Sequence, residues 1–509
     1  LSSDIIEDMG TWIRENSEDP LRDKIKDDAY TLITSIIRSE ASSEISQMVN
    51  LHPFLEPISG QFNNLAEQIQ KISYNLRNND ELKNLLRALD GKYVPVHMGG
   101  DPFRIPSILP TGYNLYQFNP QLIPTEMAMK RGKKAAEQTI ELYLKQHGGK
   151  YPKNMMHVLW GFETAKTHGE AVGEILTYLG VRFRDLTSWK REPELIPLEE
   201  LGRPRINVTI QICGFMRDLF SHVLDIIDDS IDLIIATDES ADKNYVKEQY
   251  LELKDKELKA GVPEEQADFN GRVRIFGPKS SEYGSSLPTM LDSGSWDSEE
   301  ELGKAWVNQM HYSYRKNSRA KPSKRLFKTS ISSVDAISQV RDTVAYAVTD
   351  LDHYYEFVGG ISQATKVAGK KKLPTIYITN TSNVKVDTSD IKTAINRGVV
   401  TRTANPKWVE GMLKHDYSGG KKVADRINYL LGFSATTQQV EKTAWDQVNN
   451  TFVENEEIRK KMKKNNIFAY HRSIETMLEA IKRGLWDATD DQIEKLKQLY
   501  LELEGLIES

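Results

Sequence analysis

Cysteine is nearly absent. Cys213 is the single one in 509 residues, which excludes an internal disulfide, suits a reducing compartment and leads us to expect a cytoplasmic protein. Long apolar runs are missing too: none approaches the ~18–20 residues needed to span a bilayer, and no signal peptide is visible, so no membrane span is expected. Basic residues form no long block, and 67 Lys+Arg against 73 Asp+Glu leave a net charge of −6, so composition gives no reason to expect a nucleic-acid partner. The sequence has no GxxxxGK[ST]; Gly369-Lys370 and Gly419-Gly420-Lys421 lack both the spacing and the following Ser or Thr, so the chain is not expected to hydrolyse ATP itself. CxxC, HExxH and GxSxG are also missing, which removes the usual grounds for structural zinc, zinc proteolysis and a serine-hydrolase elbow.

What is present is a globular composition, 39% hydrophobic, long enough for about three domains at ~150 residues each. The chain opens on Leu1 rather than Met and reads as a piece of something longer. Residues 1–90 are helical in pattern, with Leu65, Ile69, Ile72 and Leu76, then Leu82, Leu85, Leu86 and Leu89, forming packing surface. Residues 91–124 break the periodicity with prolines, glycines and the aromatics Tyr93, Phe103, Tyr113, Tyr116 and Phe118, which predicts an ordered wrapping loop rather than disorder.

From 125 the pattern alternates between strand and helix. A helix over Glu126–Gln146 leads to strands at Met155–Trp160, Asn207–Cys213, Leu233–Thr237 and Val273–Phe276, giving an α/β domain over 125–345. Short loops from strand to helix imply a parallel sheet whose ligands gather at the strand C-termini. Trp160-Gly161, Gly214-Phe215 and Gly277-Pro278 fall at such ends, so three loops are expected to line one crevice with Glu163, His168, Glu170 and Arg217. Each of these four also has an ordinary explanation as a helix cap or a solvated side chain. A second domain, 346–509, runs from α/β (strand Thr375–Thr379) into charged helices, one started by Pro406 and the last carrying Leu496, Leu499, Tyr500 and Leu503 toward a core. The fold class read from the sequence is therefore multi-domain α/β, with parallel α/β sheet domains between N-terminal and C-terminal helical regions.

The densest concentration of chemistry is Thr349–Ile361, TDLDHYYEFVGGI. If helical, Asp352 and Glu356 share one face, and Gly359-Gly360 either end the helix or admit a ligand close to the backbone. Thr349 or Asp350 as an N-cap, Asp352 as a first-turn acid and the glycines as a C-cap explain the same residues without any function.

Seven blocks, LPTGYNLYQFNP, VLWGFETAKTHGEAVGEILTYLGV, GFMRDLF, RIFGPKSSEYG, DLDHYYEFVGGI, NPKWVEGMLKHDYSGG and EAIKRGLW, resemble in the same order the C-terminal half of the CobN-like family, from about Leu89 to near the C-terminus. That family comprises the large subunit of ATP-dependent cobaltochelatase and the H subunit of magnesium chelatase, typically about twice this length. The resemblance implies a tetrapyrrole substrate, separate AAA+ ATPase subunits that use the ATP, and an N-terminal half not present in this chain. Where the cobalt enzymes commonly read DSDDYY with a histidine just before the glycines, this chain reads DLDHYY with Val358 there.

Metal insertion requires removing two pyrrole N–H protons and stripping water from the metal, so the resemblance casts Asp350, Asp352, His353 and Glu356 as bases or relays and Asp352 and His353 as transient metal ligands. It likewise casts Glu163, His168, Glu170, Arg217, Tyr283, Tyr354, Arg402, Lys407 and Trp408 as tetrapyrrole-binding residues, the cations for acidic edges and the aromatics for flat faces. Carboxylates suit Mg²⁺ and an added imidazole also suits Co²⁺. The implied reaction is Co²⁺ insertion into a corrin-type precursor, hydrogenobyrinate diamide, in cobalamin biosynthesis, favoured because EAIKRGLW and LPTGYNLY look closer to the cobalt branch. Mg²⁺ insertion into protoporphyrin IX is the alternative, since QIEKLKQLYLELEGLIES resembles the magnesium branch as well. A non-catalytic tetrapyrrole carrier or sensor is the alternative of another class.

Overall fold

The computed structural model describes residues 59–509 apart from 101, 103–105, 117–118 and 186–190. The helical pattern of residues 1–58 and the rings of Phe103, Tyr116 and Phe118 lie outside the described residues. The chain divides into two compact units, Leu1–Asn119 and Pro120–Ser509.

In the first unit, helices Ser59–Arg77 and Glu81–Leu89 precede a short parallel pair, Val96–Met98 with Asn114–Tyr116. The loop between the strands is held to the second helix: Tyr113 Oη donates to Asp80 at 3.0 Å, and Asn84 Nδ2 donates to the Gly112 carbonyl at 2.8 Å. Gly112 has φ +99°, and a Cβ there would lie 2.2 Å from the Glu81 nitrogen, so only glycine permits this approach. The stripe Leu82, Leu85, Leu86 and Leu89, expected as packing surface, is exposed and finds no cover among the described residues.

The second unit is built on one eight-stranded sheet. Its strands are β1 (Asn154–Leu159), β2 (Asn207–Ile212), β3 (Ile275–Gly277), β4 (Tyr312–Arg315), β5 (Ser318–Pro322), β6 (Ala336–Arg341), β7 (Thr375–Asn380) and β8 (Asp387–Asp390). The order is β8-β7-β6-β1-β2-β3-β4-β5. The five central strands, β7 to β3, are parallel, and the outer ones pair antiparallel. The sequence reading drew a domain boundary at 345, but β6 pairs with β7 along its whole length, so one sheet takes strands from both sides of that point.

Alternation along the strands sorts the two faces. Met156, Val158 and Ile337 join a large apolar core with Trp306, Phe357 and Leu430. His157 and Ser338 face the other way, onto helix Glu170–Leu179, where Glu174 receives Tyr178 Oη and Ser338 Oγ at 2.7 Å each and lies 3.2 Å from His157 Nε2. Burial pushes the Glu174 carboxyl up, but the His157 charge and these hydrogen bonds outweigh it and hold the group below the usual carboxylate range.

Two sequence expectations are corrected and one strand is added. Leu233–Thr237 is not a strand: Leu233–Ile235 close the helix Ser221–Ile235, whose buried Ile227, Ile231 and Ile234 keep helical spacing. The central strand β6 escaped notice because Ser338 and Gln339, both buried, interrupt its apolar run. Gly359 and Gly360 do not end a helix either. They lie within one, at φ −71° and −57°, because the chain around them packs backbone-close: an added Cβ would meet Thr436 Oγ1 at 2.0 Å or the Trp306 ring at 2.4 Å.

Candidate functional site

In a parallel sheet, ligand chemistry collects where the strand order reverses. Here that point lies between β1 and β6. Their pairing runs from Ala336 opposite Met155 to Ser338 opposite His157 and goes no further, although β1 continues to Leu159 and β6 to Arg341. The loops leaving these two strands carry Trp160–His168 and Asp342–Glu356.

The segment entering from β6 makes a 3₁₀ turn at Val348–Asp350 and extends at Leu351 (φ −132°, ψ 137°). It restarts as a helix at Asp352 and passes through a π-helical turn at Tyr355–Gly359 before continuing to Val367. Such wide turns recur at functional sites. The break at Leu351 separates Asp350 from the other acidic groups. Asp350 is buried and fully engaged: its carboxylate accepts from Arg402, from Arg426 Nε at 2.8 Å and from the Ala347 N–H at 2.8 Å. Arg402 also donates to the carbonyls of Val344 and Ala345, and Arg426 lies over the Trp408 ring at 4.4 Å. Asp350, Arg402, Arg426 and Trp408 thus form one ion-pair cluster that fixes the loop, and Lys407 is exposed at the start of the helix Pro406–Leu413, whose N-cap is Asn405.

Asp352, His353 and Glu356 are brought together. His353 Nδ1 lies 3.1 Å from Glu356 Oε2 and 3.5 Å from Asp352 Oδ1. Glu356 is buried, and its other oxygen accepts the Ser285 N–H at 2.6 Å and Ser285 Oγ at 2.9 Å. This closure depends on Gly284, since a Cβ there would sit 2.7 Å from Glu356 Oε1. The hydrogen bond to Glu356 raises the His353 pKa above its ordinary value against the opposing effect of burial, with Asp352 adding to the rise. With Nδ1 turned to the carboxylate, Nε2 is the nitrogen available to a ligand, the arrangement that makes an oriented imidazole a good base or metal ligand.

Trp160, at the end of β1, packs against this group: its ring centroid is 5.5 Å from His353, 6.0 Å from Tyr354 and 5.3 Å from Phe357. Glu163 follows on the helix Gly161–Thr167. It is buried and accepts from Thr167 Oγ1 at 2.8 Å and from the Ala171 N–H at 3.3 Å. Burial, with the charge of Asp342 second, pushes its carboxyl up to about 8, so it carries a proton at neutral pH. Tyr354 is buried, and its phenol is raised by burial and then by Asp342.

The remaining expected residues serve connections. His168 takes a left-handed conformation (φ 58°), and its carbonyl accepts the Thr125 N–H at 3.2 Å. Glu170 is buried against Arg131 Nε at 2.7 Å, and Arg131 also binds carbonyls of Thr381, Asn383 and Val384 beyond β7. Arg217 joins the β2 and β3 loops, donating to Asp218 and to the carbonyls of Lys279 and Glu282, with Tyr283 under it at 5.6 Å.

Among the described residues, no group of three or more His, Cys, Asp or Glu side chains is arranged to hold a metal ion, so Asp352 and His353 offer two ligands rather than a closed site. Sequence reasoning singled out neither Ser285, Arg426 and Arg131 nor the stacked pair Phe162 and Phe215. Phe162 and Phe215 lay inside family blocks and Ser285 directly after one, whereas Arg426 and Arg131 are recognised only through their long-range partners.

Fold and site together define an α/β protein with an imidazole–carboxylate group at the switch point of a mainly parallel sheet. The chain belongs to the CobN/Magnesium Chelatase family, whose model matches residues 4–493, well upstream of the Leu89 at which the sequence resemblance was placed. It is 31% identical to the aerobic cobaltochelatase subunit CobN of a Sinorhizobium species over 80% of this chain and 32% of that protein. It is 32% identical to the chloroplastic magnesium-chelatase subunit ChlH of Oryza sativa subsp. indica, over 84% of this chain and 31% of that protein. Among solved structures, the catalytic subunit of cobaltochelatase from Mycobacterium tuberculosis superimposes with a TM-score of 0.80 at 26% identity, covering 93% of this chain and 41% of that one. The chain thus spans about a third of the length of these curated relatives, rather than the half expected. No described helix is long and apolar enough to cross a membrane.

Proposed function

We propose that this chain is the tetrapyrrole-binding, catalytic part of an ATP-dependent metal chelatase. The observation that carries the reading is the exposed His353 backed by buried Glu356 at the β1/β6 switch point. In the proposed reaction Asp352 and neutral His353 first hold the incoming metal as a transient ligand pair; as the metal passes to the macrocycle nitrogens, the freed His353 Nε2 takes one pyrrole proton, with Glu356 stabilising the imidazolium, and the Asp352 carboxylate takes the other. Glu163, already protonated near neutral pH, is an uncharged neighbour suited to donating a hydrogen bond to a macrocycle edge. Arg217, Tyr283, Tyr354 and His168 stand in the surrounding loops as binding or positioning groups. Asp350, Arg402, Trp408 and Glu170 would contribute through their ion pairs, and Lys407 through its exposed charge.

The substrate metal we propose is cobalt, inserted into a corrin-type precursor in the cytoplasm, with magnesium and protoporphyrin IX as the second reading because magnesium-chelatase subunits match equally well. ATP would be used by AAA+ partner subunits, since the sequence has no P-loop. The purified chain should then show no ATPase activity alone and should perturb the absorbance of hydrogenobyrinate diamide or protoporphyrin. ATP turnover by the isolated chain would defeat the division of labour. Clear preference for protoporphyrin would overturn cobalt, and binding without insertion in a fully reconstituted complex would favour a carrier.

A further inference from the structure

Phe162 and Phe215 stack face to face, ring centroids 4.0 Å apart and planes 15° from parallel. They occupy equivalent places on neighbouring strands. β1 and β2 pair in parallel with Leu159 opposite Ile212, and each chain continues for three residues through a glycine to a phenylalanine: Trp160-Gly161-Phe162 and Cys213-Gly214-Phe215. The loops close tightly on each other, since a Cβ on Gly161 would lie 2.3 Å from the Phe215 ring and 2.8 Å from the Met216 nitrogen. Yet Phe162 remains 69% exposed, so the pairing leaves a broad aromatic face in water. That face lies two residues along the chain from Trp160, whose ring meets His353, and one residue from Glu163, which is uncharged near neutral pH. A rigid apolar plane is therefore built on the same strand-end loop whose Trp160 ring meets His353.

We infer that the Phe162–Phe215 pair is the platform on which one face of the tetrapyrrole macrocycle rests. The inference depends on the chelatase reading above and adds the residues that bind the ring. A flat conjugated ligand has large apolar faces and acidic edges, and an aromatic plane next to a cluster of hydrogen-bonding groups matches both in one orientation. Stacking there would hold the macrocycle by its face, leaving its central nitrogens for His353.

The test titrates the full 509-residue chain with protoporphyrin IX and, separately, with hydrogenobyrinate diamide, following tetrapyrrole absorbance. Phe162→Ala should weaken binding of whichever compound the unaltered protein takes by tenfold or more, Phe162→Tyr should restore it to within about threefold by keeping a ring, and Leu501→Ala, which removes an exposed leucine on the C-terminal helix, should leave it unchanged. Because the Phe162 ring is largely in water, far-UV circular dichroism and melting temperature should not move. Unaltered affinity in Phe162→Ala overturns the platform while leaving the chelatase reading intact. Failure of the unaltered protein to bind either compound overturns both. Normal tetrapyrrole binding with lost association to an ATPase subunit would assign the pair to a protein interface and overturn the platform.

Discussion

His353 Nδ1 lies 3.1 Å from Glu356 Oε2, with the histidine exposed and the glutamate buried. The buried partner fixes the ring and leaves Nε2 outward, so loss of either residue should affect the chemical step more than ligand affinity. His353→Ala, and Asp352→Asn beside it, should lower metal insertion by ~10²-fold or more in a reconstituted complex at nearly unchanged tetrapyrrole affinity. Wild-type insertion rates in both variants would remove the proposed base and ligand pair.

The same pair predicts a pH effect on stability. The His353 pKa is raised in the folded protein, so its stabilising contribution is complete below the unfolded histidine value near 6.5 and is lost as pH rises through the folded value. The melting-temperature gap between the native protein and His353→Gln should be larger at pH 6 than at pH 9. A gap that widens with pH would contradict the assignment.

Glu163 carries the opposite sign from an ordinary paired carboxylate. Its folded pKa is pushed up to about 8 from an ordinary 4.5, so between those values the unfolded chain releases a proton that the folded one keeps, and stability falls as pH rises. At about 1.4 kcal/mol per unit, the loss across that window is on the order of 3–5 kcal/mol. Glu163→Gln keeps the acceptor for Thr167 and Ala171 and should remove the slope, making the variant relatively more stable at pH 8 than at pH 5 in urea melts.

Asp350 has its charge matched by Arg402 and Arg426, which argues for a structural part. Asp350→Ala leaves two arginines facing each other, one of them largely buried, and should destabilise the fold by about 3–5 kcal/mol. Chemical denaturation measures this. A small stability change with abolished insertion would instead return Asp350 to the catalytic group.

The glycine pair predicts overpacking. Gly360→Ala drives a methyl into the Trp306 ring and Gly359→Ala drives one into Thr436, and each should cost about 1–3 kcal/mol or more. Unchanged melting temperatures for both would show that the helix can shift away from its neighbours.

Much of this was legible from local pattern. The helix Glu126–Gln146 matches its expected span, and β1, β2 and β7 lie within a residue of theirs, because their apolar runs are bounded by turn residues. β6 was not legible: Ser338 is buried because Glu174, 164 positions earlier, accepts its hydroxyl hydrogen. The site divides in the same way. His353 and Glu356 are three apart, and their contact follows from helical spacing, whereas the separation of Asp350 from them comes from Arg426, 76 positions downstream. Phe162 and Phe215 become a pair only once the register of β1 and β2 is known.

The outer strands of the sheet also bear on how the molecule behaves in concentrated solution. β5, SRAKP, ends one side with two cations and a proline that withholds its N–H, and β8, DTSD, ends the other with two carboxylates. A sheet margin normally invites strands from other chains, and both margins here discourage a like strand through repulsion or a missing donor. The parallel centre can thus keep its strand ends and loops free of added strands while the sheet itself resists growing into aggregates.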